Sequence, residues 1–464
     1  MSPTIMDQRL KTTGILDLIG NTPLVEVHRL DTGKCRLFLK LEFQNPGGSI
    51  KDRIALAMIQ VAEEQGLLKK GGLLVEATAG NTGLGLALVA SQKGYRLLIV
   101  VPDKMSQEKI FHLRALGAEV VLTRSDVTKG HPEYYQDLAA RIARERNGFF
   151  VNQFANMANP KAHEEGTAPE IWEQMQHDVD AVVCGVGTGG TITGMSRFFA
   201  RVSPQTDIVL ADPEGSVLAN FIKTNTVSSE VGSWLVEGIG EDFIPPVCDL
   251  SRVKKAYTIP DSEAFVACRE LLMKEGVMAG TSSGTLLAAA LRYCREQTEP
   301  RRVVSLIPDS GNKYLSKVYN DYWMTDQGFI EREQHGDLRD LIARRHRDRA
   351  VATVGANESV LAAYQRMKLY DVSQLPVLKD GRIVGIVDEK DILLEVYDNP
   401  RHFDEPVTEA MESHLITVSP DAGIDELKRI FDRGLVAIVV DGEEFLGLIT
   451  PIDLLNWLRR RKGK

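Results

Sequence analysis

Only five cysteines occur in the 464 residues, Cys35, Cys184, Cys248, Cys268 and Cys294, and none forms a Cys-x-x-Cys pair. The spacing offers no metal-ligand cluster, so no metal site is expected. Four of the five lie inside apolar patterns, which reads as buried free thiols in a reducing compartment. Long hydrophobic runs are also missing: stretches such as residues 97–101 are far shorter than the roughly 20 residues that cross a bilayer. There is no basic block either. Lys and Arg number 55 against 64 Asp and Glu, and the net charge of −9 is spread along the chain. That balance gives no electrostatic case for nucleic acid or for an anionic membrane. Residues 1–13 lack the apolar core of a secretory signal, and the expected location is the cytoplasm. At about 150 residues per domain, the length suggests roughly three domains.

What is present centres on Asn45-Pro46-Gly47-Gly48-Ser49-Ile50-Lys51-Asp52-Arg53. A Pro-Gly-Gly turn leads to a lysine that opens a run of helix formers, residues 54–65, closed by Gly66. An amine pinned at a loop-to-helix junction is partly desolvated, and a helix N-terminus disfavours its charge. Desolvation lowers its pKa and makes it a nucleophile able to form a Schiff base. The plainer alternative is a solvated lysine at a helix start, and the loops downstream decide between them.

Three such loops follow. Thr78-Ala79-Gly80-Asn81-Thr82-Gly83 lies between a strand-like run, 73–77, and a helical one, 84–93. Gly185-Val186-Gly187-Thr188-Gly189-Gly190-Thr191 follows the apolar run 181–184, and Gly280-Thr281-Ser282-Ser283-Gly284-Thr285 joins two helical patterns. The second loop suits a phosphate. Its glycines let backbone N–H groups approach an anion, Thr188 and Thr191 add hydroxyls, and the next helix offers its positive end. The same loop satisfies Gly-x-Gly-x-x-Gly, with Asp212 ending the next strand-like run, so a dinucleotide fold is a rival. That rival leaves Lys51 and the Asn81 and Ser282 loops unexplained.

Between residues 72 and 151 short β-rich runs alternate with amphipathic stretches: strands at 95–101 and 118–122, helices at 106–116 and 134–146, and an extended piece at 149–151. A second series runs from 181 through 208–210 to 303–306. This rhythm predicts parallel sheets with helices on both faces, in two lobes enclosing a cleft at the carboxyl ends of the strands. His163 has no identifiable partner in the sequence and reads as structural or peripheral.

Taken in order, these residues resemble the β-family (fold type II) of pyridoxal-phosphate enzymes, within it the cysteine synthase and cystathionine β-synthase group. The motifs are Gly20-Asn21-Thr22-Pro23-Leu24, Asn45-Pro46, Ser49 and Lys51-Asp52-Arg53, Gly80-Asn81-Thr82-Gly83, Asn152-Gln153-Phe154, Asn159-Pro160, Gly187-Thr188-Gly189-Gly190-Thr191, Glu237-Gly238-Ile239-Gly240 and Ser282-Ser283-Gly284. They span nearly all of residues 10–325. The resemblance implies a two-lobed α/β catalytic domain with parallel sheets and pyridoxal 5′-phosphate as cofactor. Lys51 would bind the cofactor covalently and act as acid and base at the substrate Cα. Asn81 would hydrogen-bond its 3′-oxygen, Gly187 to Thr191 would cradle its phosphate, and Ser282 would face the pyridine nitrogen. A hydroxyl there, in place of a carboxylate, moderates the electron sink and suits β-elimination and replacement. Thr78, Ala79, Gly80 and Thr82, with Gln153, would bind the substrate carboxylate, and Gly240 would border the pocket. Two departures stand out: Ala79 replaces a serine common in the family, and Glu241 stands where an aromatic residue is usual. Some relatives carry an N-terminal haem-binding extension. Here the catalytic pattern begins at residue 15 with neither Cys nor His before it, so no haem is expected.

After Trp323 the pattern changes, and residues 325–337 are polar without sustained periodicity. Beyond them the chain repeats itself. Gly385 and Gly447 are separated by the same 62 positions as Asp391 and Asp453, each pair inside matching apolar runs. The repeat resembles the tandem cystathionine β-synthase domain (Bateman module), with Met411 and Thr417-Val418 opening the second copy. The implied organisation is a catalytic domain, 1–325, a linker, 326–338, and an α+β module of two repeats, 339–400 and 401–464. Such modules often bind adenosyl compounds through an aspartate, here Asp391 or Asp453, with Thr450 beside the latter. Both aspartates equally suit helix N-caps. The first copy has Asp388 where the second has Thr450.

The appended module favours one function: a lyase condensing L-serine with L-homocysteine to L-cystathionine and water, with hydrogen sulfide from cysteine as a side product. The alternative is an O-acetylserine sulfhydrylase or promiscuous cysteine synthase. A third reading is an adenosyl-sensing protein with an inactive catalytic lobe, against which Lys51, Asn81 and Ser282 count. The partners expected are small amino acids and further copies of the chain, as a dimer or higher oligomer, with two-fold symmetry the commonest form.

Overall fold

The apolar run Leu73–Ala77 is buried along its whole length, and so are six of the seven residues of Arg96–Pro102. Strands of this kind need cover on both faces. In a computed structural model of the protein, they form the centre of a parallel sheet with helices on either side. The structure describes residues 14–78, 80–103, 107–127, 130–227 and 231–462. The chain divides into two units, Met1–Tyr319 and Asn320–Lys464.

Among the described residues the first unit contains ten strands: β1 (Leu24–Glu26), β2 (Arg36–Lys40), β3 (Leu73–Ala77), β4 (Arg96–Pro102), β5 (Glu119–Thr123), β6 (Phe149–Phe150), β7 (Ala181–Gly185), β8 (Asp207–Pro213), β9 (Val253–Ile259) and β10 (Arg302–Leu306). They make two sheets, one in the order β5-β4-β3-β6 and one in the order β1-β2-β10-β7-β8-β9. Every pairing is parallel except β1 with β2. On one face of the smaller sheet, Ile54, Ala55, Met58, Ile59 and Ala62 of helix Lys51–Glu64 pack on Leu84, Leu86, Ala87 and Ala90 of helix Asn81–Lys93 and on Leu97, Ile99 and Val101. Steps of one, three and four residues put the first set on one helical stripe. Ala139 and Ala143 cover the other face, against Val75, Leu98 and Val100.

The helix expected from residue 84 begins at Asn81. Gly80 takes an extended conformation at its N-cap, which brings Asn81 and Thr82 into the first turn. Their polar side chains therefore sit at the carboxyl end of β3, on the rim of the cleft.

Among the described residues the second unit holds two three-stranded sheets: β11 (Val354–Gly355), β12 (Gln374–Lys379) and β13 (Arg382–Asp388), then β14 (Thr417–Val418), β15 (Ala437–Asp441) and β16 (Glu444–Ile449). In each, the first strand pairs parallel and the last antiparallel to the middle one. The 62-residue offset is thus a duplicated fold. Each copy borrows a segment from outside its own strands. Leu338, Leu341 and Ile342 are buried with Val418, Leu427 and Ile449 in the second copy, while Val407 is buried with Val354, Val377 and Val387 in the first. The repeated glycines explain how. A Cβ at Gly385 would collide with Met411, and one at Gly447 with Ile342, so each glycine marks where the crossing segment lies against the sheet.

The polar stretch after residue 325 is held by local bonds. His335 and Gly336 donate backbone N–H groups to Asp340 at 2.9 and 2.8 Å. Arg332 donates to the carbonyls of Ile342 and Ala343 at 2.9 and 2.6 Å.

Candidate functional site

In parallel sheets the loops after the strands gather at the carboxyl edge. Here the loops after β3, β7 and β10, together with Lys51, Gly238 to Asp242 and Ser282, border one cavity of about 860 Å³. Residues far apart in sequence are brought together: Lys51, Thr78, Gly80, Asn81, Thr82, Gln153, Gly187 to Thr191, Gly240 and Ser282 all line it. Ala79, also expected there, lies outside the described residues.

Lys51 is the first residue of its helix, and burial pushes its pKa down to about 8, opposed by the charges of Glu241 and Asp309. An amine at that value keeps a far larger neutral fraction near physiological pH than an ordinary lysine, and the neutral form is the one that forms a Schiff base. The Gly-rich loop has the shape of a cradle. Gly189 sits at φ +87° as N-cap of helix Gly190–Val202. A Cβ on it would collide with Cys248, and one on Gly190 with Asn159. A Cβ on Gly187 would stand 2.6 Å from the Gly238 carbonyl. Side chains are thereby excluded, and the loop presents its backbone to the cavity. Asn159 donates to the Thr188 hydroxyl at 2.8 Å. Thr191 faces Nε2 of the buried His163 at 3.3 Å, whose Nδ1 meets Thr167 Oγ1 at 2.9 Å. Burial, with the charges of Lys51 and Arg53, holds His163 well below its ordinary pKa. It is a neutral ring behind the loop.

Asn81 is held by two charged side chains. Its Oδ1 accepts from Lys313 Nζ at 2.7 Å, and its Nδ2 donates to Asp309 at 2.8 Å. Tyr314 donates to the same Asp309 oxygen at 2.8 Å. The amide therefore has one orientation and one N–H left for a ligand oxygen. On the carboxylate-binding side, Thr82 donates to Gln153 Oε1 at 2.6 Å, and the Gly80 N–H donates to Thr78 Oγ1 at 3.0 Å. Beneath them Glu76 accepts from the N–H groups of Ala77 and Gln153 at 2.7 and 3.0 Å, and burial pushes its pKa up to about 7.

Sequence reasoning missed Glu76, Asp309 and Lys313, and it gave no role to the motif residue Glu237, which pairs with Lys109 and Lys317. Glu76 carried a signal, being the one charged residue in the apolar run 73–77. Lys313 carried none, because only the fold brings it to Asn81. The motif residues Thr22, Asn45 and Arg53 serve a buried network rather than the cavity. Arg53 binds Glu42 and Glu170, both at 2.7 Å, and Lys40 also reaches Glu170 at 2.7 Å. Thr22 and Asn45 donate to Glu42 at 2.6 and 3.0 Å.

In the second unit, Asp391 and Asp388 exchange backbone and side-chain bonds in a capping box. Asp453 accepts from the N–H and hydroxyl of Thr450 at 2.7 and 2.6 Å. Asp453 also borders a cavity of about 1270 Å³, together with Arg345, Ala422 and Trp457. Among the described residues no group of His, Cys, Asp and Glu could hold a metal ion, and no helix is long and apolar enough to cross a membrane.

A lysine of lowered pKa, a glycine cradle at a helix N-terminus and a pinned amide between two parallel sheets define a site of the pyridoxal-phosphate kind. Residues 15–309 match the family described as pyridoxal-phosphate dependent enzyme, and residues 340–398 and 407–460 match the CBS domain. The cystathionine beta-synthase of Dictyostelium discoideum is 36% identical over 98% of this chain and 94% of its own length. That of Saccharomyces cerevisiae is 33% identical over 96% and 97%. The chain belongs to the pyridoxal-phosphate dependent enzymes, in the cystathionine β-synthase family. Two solved structures resemble the catalytic part. A hydrogen sulfide-producing enzyme from Fusobacterium nucleatum is 39% identical with a TM-score of 0.60, covering 65% of this chain and 99% of that one. O-ureido-L-serine synthase is 33% identical with a TM-score of 0.62, covering 69% and 96%.

Proposed function

We propose that this chain catalyses β-replacement on L-serine, condensing it with L-homocysteine to L-cystathionine and water. The observation that supports this most is the convergence of Lys51, the Gly187–Thr191 cradle, Asn81, Ser282 and Gln153 on one cavity, in a chain that matches cystathionine beta-synthases along nearly its whole length.

Pyridoxal phosphate, when bound, supplies an electron sink for charge developing at the substrate Cα. The chain's own groups do the rest. Lys51 would hold the cofactor covalently, and its amine, when free, would remove and return the substrate Cα proton. The backbone N–H groups of Gly187 to Thr191 and the helix behind them would hold the phosphate. Asn81, its amide fixed by Lys313 and Asp309, would donate its remaining N–H to the 3′-oxygen. Ser282, in the first turn of helix Thr281–Arg295, would offer the ring nitrogen a neutral hydroxyl. Thr78, Ala79, Gly80 and Thr82, with Gln153, receive the substrate carboxylate, which sets Cα toward Lys51. Gly240 borders the second substrate.

Hydrogen sulfide release from cysteine is a second activity of the same site, suggested by the Fusobacterium neighbour's title. The rival reading is O-acetylserine with sulfide. Steady-state rates with serine plus homocysteine and with O-acetylserine plus sulfide, measured side by side, separate the two. Cystathionine formation at the higher kcat/KM is expected, and a preference for the acetyl ester would overturn the assignment.

The proposal extends to the second unit. Asp453, at the cavity it borders, forms an adenosyl-ligand site with Thr450, which is hydrogen-bonded to it; Asp391 marks its counterpart in the first copy, and the chain assembles as a two-fold oligomer.

A further inference from the structure

We propose that Glu241 is the proton shuttle at the substrate's β-carbon, protonating the departing serine hydroxyl and then taking the proton of the incoming thiol. This rests on the serine-dependent reaction proposed above.

The argument starts from the backbone. Gly238 and Gly240 both have left-handed φ, +87° and +89°, and the turn they make carries Glu241 into the wall of the Lys51 cavity. The residue is pinned on both sides of its peptide. Its N–H donates to Ser216 Oγ at 3.1 Å, and its carbonyl accepts from the Val217 N–H at 3.0 Å. The side chain is half-buried, and among the described residues its carboxyl has no hydrogen-bond or ion-pair partner. The other acidic residues lining the cavity differ: Glu237 is tied to Lys109 and Lys317, and Asp242 is exposed. A sheltered carboxyl left unpaired in the cavity that Lys51 also lines, and near enough for its charge to act on that amine, is available for proton transfer.

Its surroundings suit the task. Burial raises its pKa first, then the charge of Asp242; Lys51 opposes them, and Asp212 adds to the rise, bringing it to about 8. Tyr134, Tyr135 and Cys248 also feel its charge. Near neutrality the group is largely protonated and able to donate. A value close to the ordinary thiol pKa of about 8.5 lets the conjugate base accept a thiol proton without a large uphill step.

The atoms balance. Lys51 takes the Cα proton. As the Cβ–O bond breaks, the Glu241 proton joins the leaving oxygen and water departs. The thiol sulfur then bonds to Cβ while its proton restores Glu241, and Lys51 returns its proton to Cα. Nothing is oxidised or reduced. Acetate, by contrast, leaves as a stable anion and needs no proton, so O-acetylserine bypasses the first task.

The test is the holoenzyme and its Glu241→Gln variant, which keeps the shape and loses the titrating proton. The kcat/KM for the first substrate, which reports the steps through departure of the β-substituent, is measured with serine and with O-acetylserine across pH. In the variant the serine value is expected to fall roughly 10²- to 10⁴-fold, while the O-acetylserine value stays within about threefold and serves as a folding control. The wild-type serine profile should decline as pH rises through about 8, and the variant should lose that limb. Equal losses with both substrates, or a serine value within threefold of wild type, overturn the shuttle and leave the serine reaction standing. A wild-type enzyme that uses O-acetylserine and not serine overturns both readings.

Discussion

Arg53 lies two residues from Lys51, and its replacement tests whether the buried network positions the catalytic helix. The guanidinium is 5% exposed and reaches Glu42, fully buried, and Glu170, 16% exposed. It makes two bonds to Glu42 at 2.7 and 2.9 Å and two to Glu170, both at 2.7 Å. Arg53→Ala leaves Glu42 without a cation and Glu170 with Lys40 alone. Breaking a buried pair by removing one partner typically costs about 3–5 kcal/mol. At about 2 °C per kcal/mol for a unit of this size, the melting temperature should fall by roughly 6–10 °C. The readout is thermal unfolding followed through cofactor absorbance, which reports the catalytic unit without interference from the second. Because the helix that begins at Lys51 loses its anchor, cofactor retention should fall as well. A shift under about 2 °C would show that the network contributes nothing beyond packing. Adding Glu42→Gln and Glu170→Gln should recover part of the loss, since the stranded charges disappear. There is also a pH signature. Burial acts to raise the Glu170 pKa, but the Arg53 hydrogen bond and charge, Lys40 and the Asn21 N–H outweigh it and hold the group near about 2, against an ordinary 4.5. A depressed carboxylate contributes stability above its unfolded pKa and loses it as pH falls through the folded value. The gap between wild type and Arg53→Ala should therefore be full above pH 4.5 and close between 4.5 and about 2.

The purified protein should be yellow, borohydride should trap a pyridoxyl group on Lys51, and no Soret band should accompany it. Lys51→Ala should abolish turnover even with cofactor bound, whereas Asn81→Ala and Ser282→Ala, which remove tuning contacts, should be milder; near-wild-type turnover in the lysine variant refutes its role. For the second unit, calorimetry with S-adenosylmethionine, AMP and ATP should detect binding that Asp453→Ala weakens. A chain ending near Thr325 should change in rate or oligomeric state. If no ligand binds and the shortened chain behaves as the whole, the module is neither sensor nor assembly element.

Much of the site was legible before any coordinates. Lys51 after its Pro-Gly-Gly turn, the glycines at 187, 189 and 190 and the Asn81 loop each carry a local chemical signature, and local signatures survive in sequence. Asp309 and Lys313 do not. An aspartate after a strand and a lysine in a short helical turn are commonplace, and their grip on Asn81 spans more than 225 positions. Glu241 could be flagged as unusual, but its unpaired carboxyl is a fact of the folded cavity. Asp391 and Asp453 suited helix N-caps in the sequence, but the N-cap of helix Glu389–Val396 is Asp388, and Asp391 is the third helical residue, its side chain accepting from the Asp388 N–H; Asp453 is likewise third in its helix and accepts from the Thr450 N–H.

The sequence by itself determined the alternation of strands and helices between residues 73 and 150 in outline, through burial-driven runs and turn residues, and it determined the duplication, through a constant offset of 62 residues. The tertiary structure decided adjacency. The order β1-β2-β10-β7-β8-β9 places β10 beside β2, bringing residues 302–306 against residues 36–40. Residues 338–342 pack into the second copy and not the first. Periodicity and turn chemistry act over a few residues and leave a readable pattern. The partner of a buried strand, or of an unpaired charge, depends on which distant surfaces bury the most apolar area while satisfying every polar group. That is settled only when the whole chain packs.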